Sequence, residues 1–334
     1  MKMLQLATLL GLGGFALLTG LLLYEGIGPV FEALSIGGLG LIWASLCHIL
    51  PMAVNAHAWR LLFVGKGRPT LARATWIIWV REAVNGLLPV ARIGGEVISV
   101  RLAVQAGFST APVVASLIAD ITLSMISQFL FTVLGLGLLL LSIDDTAVAY
   151  QVASGLLVTI PIVGGLIVVQ RFGIVNIGEK LIRSLFGDRL AEVVGNAGRL
   201  DRVLKLVYRR PSRVVASTLW QLVGWLTGTA EIYFALLALG HPVGLVHAVI
   251  LESLAQAVSS AAFMVPGAMG VQEGGFLLFG TLLGLDPEVA LALALARRIR
   301  DLVVFVPALI LWQIGEAQKL AMGGSVPPRK RLAR

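Results

Sequence analysis

The chain alternates long apolar runs with short polar connectors, and two of the runs are broken part-way by proline, glycine and charge. Apolar stretches at about 4–23, 37–58, 110–141, 149–169, 214–239 and 287–315 each offer roughly the ~20 residues a helix needs to cross a bilayer. Trp76 to Leu88 does not. Its 13 residues rise only ~20 Å at ~1.5 Å each, against a hydrocarbon core of ~30 Å. The spacing therefore predicts one arm of a re-entrant hairpin, turning over Pro89–Gly95 and returning through Glu96–Ala106. A second hairpin is predicted from Leu245–Val265 and Gly274–Leu283, around the break that runs from Pro266 to Glu273.

Non-helical backbone at membrane depth survives only where protein buries it or a water-filled cavity bathes it. The two breaks therefore read as the lining of a pathway. Laid over one another at a shift of 177 positions without a gap, they set Pro89 on Pro266, Glu96 on Glu273, Gly107 on Gly284 and Asp120 opposite Arg297. Seven of 49 positions match. The weight rests on a proline and a carboxylate, both costly in lipid, that keep the same separation.

Composition removes the soluble classes. With 57% hydrophobic and 13% charged residues and a mean hydropathy of +0.91, the chain reads as a polytopic membrane protein. Leu4–Leu23 lacks a following small-x-small cleavage site and is expected to remain as the first helix. The net charge of +8 sits in short loops beside apolar spans, which suits anionic lipid headgroups rather than nucleic acid. The connector with Glu25 and Glu32 and the loop with Asp144 and Asp145 carry no base and are expected outside. The loop with Arg60, Lys66, Arg68 and Arg73 and the tail with Lys319, Arg329, Lys330, Arg331 and Arg334 are expected in the cytoplasm. So is segment 171–210, with nine bases against four acids. Its apolar residues, among them Ile182, Leu200, Val203, Leu204 and Val207, recur at helical spacing, so it either lies along the membrane surface or forms a solvated helix pair.

The expected fold is an all-α polytopic membrane protein of about six transmembrane helices plus two re-entrant helical hairpins arranged as an inverted repeat. It forms a single domain over 1–334, with repeat one at about 75–141, repeat two at about 245–315 and a cytoplasmic basic segment at 170–212. Three full crossings separate the hairpins, an odd number, so the repeats point in opposite directions. A competing count ends a helix at Arg297, Arg298 and Arg300 on the cytoplasmic face and leaves Leu302–Trp312 as a short remnant.

Charges within spans are expensive and usually face a bundle interior. Glu96 and Glu273 either contact substrate or driving ion, or accept hydrogen bonds from the amides of their own turns. Arg81, Arg92 and Arg101 around the first turn, Asn85 within it and Gln272 in the second complete the expected substrate-binding set. A guanidinium donates a planar pair of hydrogen bonds that suits phosphate. The plainer alternatives are that Arg81 pairs with Glu82 and that Arg101 marks the interface. Asp120 and Arg297 are expected to meet across the repeats as a gating or structural ion pair, unless Asp301 takes Arg297 at i,i+4. His48, Asn55, His57, Glu231, Glu252 and Gln256 read as interhelical hydrogen-bonders. Trp43, Trp59, Trp76, Trp79 and Trp312 read as interfacial anchors or packing. Cys47 is the single cysteine, so no intramolecular disulfide is expected. No metal-ligand spacing, P-loop, dinucleotide fingerprint or nucleophile–base arrangement is found, so no cofactor and no metal is expected and an enzyme is disfavoured.

The stretch Asn85–Glu96 (N-x-L-L-P-x-x-x-x-G-E) and Pro266–Glu273 (P-G-x-x-G-x-x-E) resemble the two signatures of the lysylphosphatidylglycerol synthase transmembrane-domain family, over roughly the whole chain. The fuller wording from Trp79 to Glu96 is similar to the branch of hopanoid-biosynthesis-associated membrane proteins. The usual second Gly of P-G-G stands here as Ala268. The resemblance implies a flippase-like domain whose hairpins form the lipid site. Only 18 residues follow Glu316, so no soluble aminoacyl-transfer domain is expected in this chain.

The function expected is therefore a non-enzymatic lipid translocase of a bacterial inner membrane with both termini cytoplasmic. It would move an amphipathic lipid, hopanoid-related or phosphate-bearing. Its partners would be membrane lipids, with a second copy of the chain or lipid-biosynthesis proteins as further candidates. The alternatives are an accessory factor or enzyme of hopanoid or polyprenyl lipid metabolism, and a small-solute permease.

Overall fold

The computed structural model describes residues 17, 19–24, 27–64, 67–88, 94–142, 197–262 and 265–321, and every regular element among them is helical. Outside them lie most of the expected span at 4–23, the span at 149–169, the Asp144–Asp145 loop and residues 171–196 of the basic segment. The tail bases from Arg329 onward and the turn residues Pro89 to Ile93, Arg92 included, lie outside them as well.

Helix α1 covers Ile27–Leu46 and α2 covers Ile49–Leu61. The pattern predicts one helix over 37–58 here, and the structure breaks it at Cys47 and His48. Pro51 is the reason, since it has no amide for the Cys47 carbonyl and its ring crowds that oxygen. The Cys47 carbonyl accepts from the Leu50 amide instead, at 3.1 Å, and the turn tightens.

Helix α3 (Leu71–Leu87) is capped by Thr70, whose hydroxyl accepts from the Arg73 amide at 3.3 Å. Helix α4 (Gly94–Gln105) packs back against it to form the first hairpin. A Cβ on Gly95 would run into the Arg81 carbonyl and the Asn85 amide, so glycine is what lets the arms lie this close. Helix α5 (Thr110–Ser142) is followed, past residues 143–196, by α6 (Ala197–Tyr208) and α7 (Pro211–Ala238). Helix α8 (Leu245–Ala261), a 3₁₀ turn (Pro266–Ala268) and α9 (Val271–Leu282) make the second hairpin. Helix α10 (Pro287–Arg300) runs through a π turn (Asp301–Phe305) directly into α11 (Val306–Ala321). The three arginines therefore do not end a helix, and Leu302–Trp312 is no remnant.

The two hairpins match in length. Helices α4 and α9 have 12 residues each and start 177 positions apart, at 94 and 271; α5 and α10 start the same distance apart, at 110 and 287. Helices α3 and α8, of 17 residues each, are only 174 apart, at 71 and 245. The gapless register thus holds from the turns onward and not before them. The second turn, 262–270, spans nine residues against six in the first, 88–93.

The two largest of four hydrophobic clusters among the described residues gather most of the helices, and α5 packs on members of both. One gathers α1, α7, α8, α9 and α10 around Leu236, Leu251, Phe276 and Leu291. The other gathers α2, α3, α4, the π turn and α11 around Trp59, Ile77, Ile78 and Phe305. Each hairpin belongs to its own core. The break at Cys47–His48 and the π turn are the places where a helix passes from one core to the other. Helix α6 lays Leu200, Val203, Leu204 and Val207 on Leu62, Val64 and α5. Its apolar face is thus covered by protein rather than by lipid, while Arg202, Lys205 and Leu206 are exposed.

Polarity is inverted relative to a water-soluble fold. Leu141 is 86% exposed, Leu39 74% and Trp43 70%, while Glu273 is 0% exposed and Glu231, Asp120 and Arg297 no more than 4%. An apolar exterior over buried charge is the arrangement that lipid, not water, stabilises. Among the described residues two helical stretches have the length and hydropathy of a membrane span, Ile27–Leu61 and Thr110–Ser142. Trp59 is buried and the Trp79 indole bonds to the Val304 carbonyl, so these two tryptophans are packing residues rather than anchors.

Candidate functional site

One side chain closes the first hairpin. Asn85, near the end of α3, accepts the Gly95 amide on Oδ1 at 2.8 Å and donates from Nδ2 to both Glu96 carboxylate oxygens at 3.2 Å. One helical turn earlier, Arg81 Nη1 donates to Asp120 Oδ2 on α5 at 3.0 Å. Gln221 of α7 donates to Asp120 Oδ1 at 2.9 Å, so the buried carboxylate has partners on both oxygens.

The second hairpin is held by a charge pair instead. Glu273 Oε2 accepts the Gly270 amide at 2.7 Å, satisfying a free donor at the start of α9. Its Oε1 accepts from Arg298 Nε at 2.8 Å, and Arg298 Nη1 donates to the Gly267 carbonyl at 2.8 Å. The guanidinium clamps both ends of the turn to α10. The turn is tight: Gly267, Ala268 and Gly270 have φ of 62°, 49° and 75°, the left-handed region where a Cβ is a liability.

Between the two cores lies a seam of charge. His48 stands at the break between α1 and α2 with Nδ1 3.0 Å from Glu231 Oε2 and Nε2 3.4 Å from Glu82 Oε2. Arg300 Nη1 lies 2.9 Å from His48 Nδ1 and 3.1 Å from Nε2. Glu231 also faces Arg297 Nε at 3.5 Å, and Arg297 Nη2 donates to Glu252 on α8. Arg300 Nε sits 2.9 Å from Asp301 Oδ1, at the first residue of the π turn. A small pocket beside Glu231 and Arg297, lined also by Ser45, has room for about one water. Buried charges persist only when paired, and here the pairs join α3, α7, α8 and α10.

A family model described as the lysylphosphatidylglycerol synthase TM region matches residues 6–308. The chain belongs to this family. No curated protein and no solved structure matches it. Membership in the lysylphosphatidylglycerol synthase TM-region family makes this a membrane-embedded, lipid-related protein, in keeping with its exposed leucines and buried ion pairs.

The two stretches that carry the resemblance fall on the two hairpins; Asn85 and Glu96 meet within the first, while Glu273 accepts from Gly270 within the second and from Arg298 outside it. Other expected residues sit elsewhere. Asp120 and Arg297 do not pair: Asp120 is taken by Arg81 and Gln221, Arg297 by Glu252 and Glu231. Equal sequence offset gave them equivalent places on α5 and α10 but not facing side chains, because α3 and α7 stand beside Asp120 while α8 and α7 stand beside Arg297. Asp301 turns to Arg300, and to Arg298 at 3.8 Å, rather than to Arg297 at i,i+4. Arg81 reaches Asp120, not Glu82. Arg101, seven residues into α4, has a half-exposed side chain and pairs with Glu316 of α11, so it does not face the turn. Gln272 is buried in the first turn of α9.

Four seam and clamp residues carried no role in the sequence: Gln221, Glu82 as a histidine partner, Arg298 and Arg300. One signal for the arginines was legible. Arg297, Arg298, Arg300 and Asp301 crowd the middle of a long apolar run, where charge must find partners. His48 had a signal too, since Pro51 follows Cys47 by four residues and marks the break.

Proposed function

We propose that this family member is a lipid translocase. It moves an amphipathic lipid, hopanoid-related or phosphate-bearing, between leaflets, the headgroup passing through the seam while the tails stay in the bilayer. The observation that carries this reading is the seam itself, a buried ionic network lying where two separate hydrophobic cores abut. Ion pairs line this seam, while α2 packs along α7 and α5 along α7 and α8 beside it, with the Ser217 hydroxyl donating to the Ala58 carbonyl at 3.1 Å. A separated buried pair needs replacement partners, and a phosphate for guanidinium or an amine for carboxylate supplies them.

We read the hairpins as re-entrant and entering from opposite faces, one per inverted repeat. The support is their equal arm lengths and the 177-residue spacing of α4 and α9. We place the protein in a bacterial inner membrane with both termini cytoplasmic, on the basic loops at 60–73 and 171–210. No covalent chemistry is assigned to it. Its partners are membrane lipids, with a second copy or lipid-biosynthesis proteins as candidates.

The test is reconstitution into liposomes with headgroup-labelled lipids and leaflet-specific quenching. Exchange faster than in protein-free vesicles is expected, slowed about tenfold or more by Glu96→Gln or Glu273→Gln, a loss of roughly 1.4 kcal/mol of barrier stabilisation. No acceleration with any lipid, together with turnover of a lipid in detergent, transfers the case to a membrane enzyme. Wild-type exchange in both variants reduces the carboxylates to turn caps.

A further inference from the structure

Resting on the translocase reading, we infer that His48 is a proton-binding site that couples lipid movement to a proton gradient. Three groups face its ring directly. Glu82 comes from α3 and Glu231 from α7, both carboxylates; Arg300 comes from α10. Arg300 Nη1 also lies 3.3 Å from Glu231 Oε2; behind them stand Arg297 on Glu231 and Asp301 on Arg300, and the Phe305 ring meets the imidazole edge-on at 5.8 Å.

These partners make incompatible demands. The two carboxylates lie against different ring nitrogens and each needs an N–H, which only the imidazolium provides at both positions. Arg300 Nη1 has only hydrogens to offer and bonds to the ring only through a nitrogen lone pair, which only the neutral form has. The neutral ring accepts from Arg300 on one nitrogen and serves a single carboxylate with the other, whereas the imidazolium serves Glu82 together with Glu231 and leaves Arg300 to Glu231 and Asp301. Histidine is the side chain that changes charge near neutral pH.

The charge balance points the same way. Among the described residues, and leaving aside the exposed Arg101–Glu316 pair and Arg73 at the surface, the side-chain contacts of the hairpins and seam involve seven carboxylates, Glu82, Glu96, Asp120, Glu231, Glu252, Glu273 and Asp301, and four guanidiniums, Arg81, Arg297, Arg298 and Arg300. A proton on the histidine at the hub offsets part of that excess.

Both hairpins feel the change. Protonation repels Arg300, which stands directly before the π turn and already contacts Asp301 within it. A π turn is a ladder defect often found at functional sites, and two residues upstream of Arg300, Arg298 clamps the second hairpin turn. Glu82, drawn to the imidazolium, adjoins Arg81, which ties the first hairpin arm to α5. A proton taken from water on one side adds to a ring nitrogen, and after the lipid has moved the same N–H bond releases it to water on the other. No other bond is made or broken.

Two measurements test this. In lipid nanodiscs, ¹⁵N-histidine NMR on the full chain should show one ring, assigned by its absence in His48→Gln, passing from imidazolium to neutral between about pH 5 and 8. Glu82→Gln should move that change to lower pH, because a carboxylate favouring the cation is gone. A ring fixed in one form across the range overturns the inference. In liposomes with a gradient of one pH unit, one proton per lipid drives the labelled lipid to about a tenfold leaflet asymmetry. A protonophore abolishes it, a trapped pH dye reports the proton flux, and His48→Gln brings the asymmetry back to about one. A titrating His48 with lipid exchange indifferent to the gradient overturns the coupling and leaves the translocase standing. No lipid movement under any gradient overturns the translocase reading itself.

Discussion

Arg298 and Glu273 meet through Nε and Oε1 at 2.8 Å, and a wholly buried carboxylate at the head of α9 depends on that contact for its compensating charge. Arg298→Ala leaves the carboxylate uncompensated, which costs about 3–5 kcal/mol. The expected outcome is a large drop in the unfolding midpoint in detergent. Adding Glu273→Gln to Arg298→Ala should recover part of the loss, because the amide still accepts from Gly270 without carrying charge. Equal instability of single and double variants contradicts the pairing.

The Arg81–Asp120 pair makes a second claim that a double-mutant cycle decides. Arg81→Gln with Asp120→Asn should show a coupling of about 0.5–3 kcal/mol, as residues in one hydrogen-bonded network do. Arg297→Gln with Asp120→Asn should be additive within about 0.5 kcal/mol. Rescue of Asp120→Asn by neutralising Arg297 would restore the cross-repeat pair that the structure replaces.

Close approach of the first hairpin's arms predicts that Gly95→Ala is destabilising. The new Cβ collides with the Arg81 carbonyl and the Asn85 side chain, and overpacking of this kind costs about 1–3 kcal/mol. The same change at Gly274 meets nothing within 4 Å and should alter the unfolding midpoint little. Equal effects at the two positions argue against the α3–α4 packing.

Ala268 holds φ of 49° in the second turn, a conformation that costs an L-residue about 1–2 kcal/mol. Ala268→Gly should therefore raise stability by up to about 1 kcal/mol, part of the gain being lost to the freer unfolded chain. A lower unfolding midpoint in this variant contradicts the left-handed turn.

The hairpins were readable in the chain because their signals are local. The thirteen residues from Trp76 to Leu88, followed by Pro89, are too few to continue as a spanning helix, and the 12-residue arms after each turn start at the shared 177 offset. Pro89 and Pro266 mark breaks that glycine and charge around them reinforce, whereas Pro51 stands in an apolar run whose pattern predicts a single helix over 37–58. The cap of Glu273 on Gly270 follows from a three-residue spacing that any helix start can use.

The partners of the buried charges were decided by tertiary structure alone. Asp120 and Arg297 lie 177 positions apart, the offset at which the two turns align in the sequence, yet Asp120 meets Arg81 39 residues away and Arg297 meets Glu252 45 residues away. A guanidinium on a long flexible stem reaches any carboxylate within several ångströms, and no sequence period encodes which helix stands there. By itself the sequence determined that the charges are enclosed, because lipid penalises them wherever they fall. Which charge faces which was settled only when the helices packed and set α3 beside α5, and α7 and α8 beside α10.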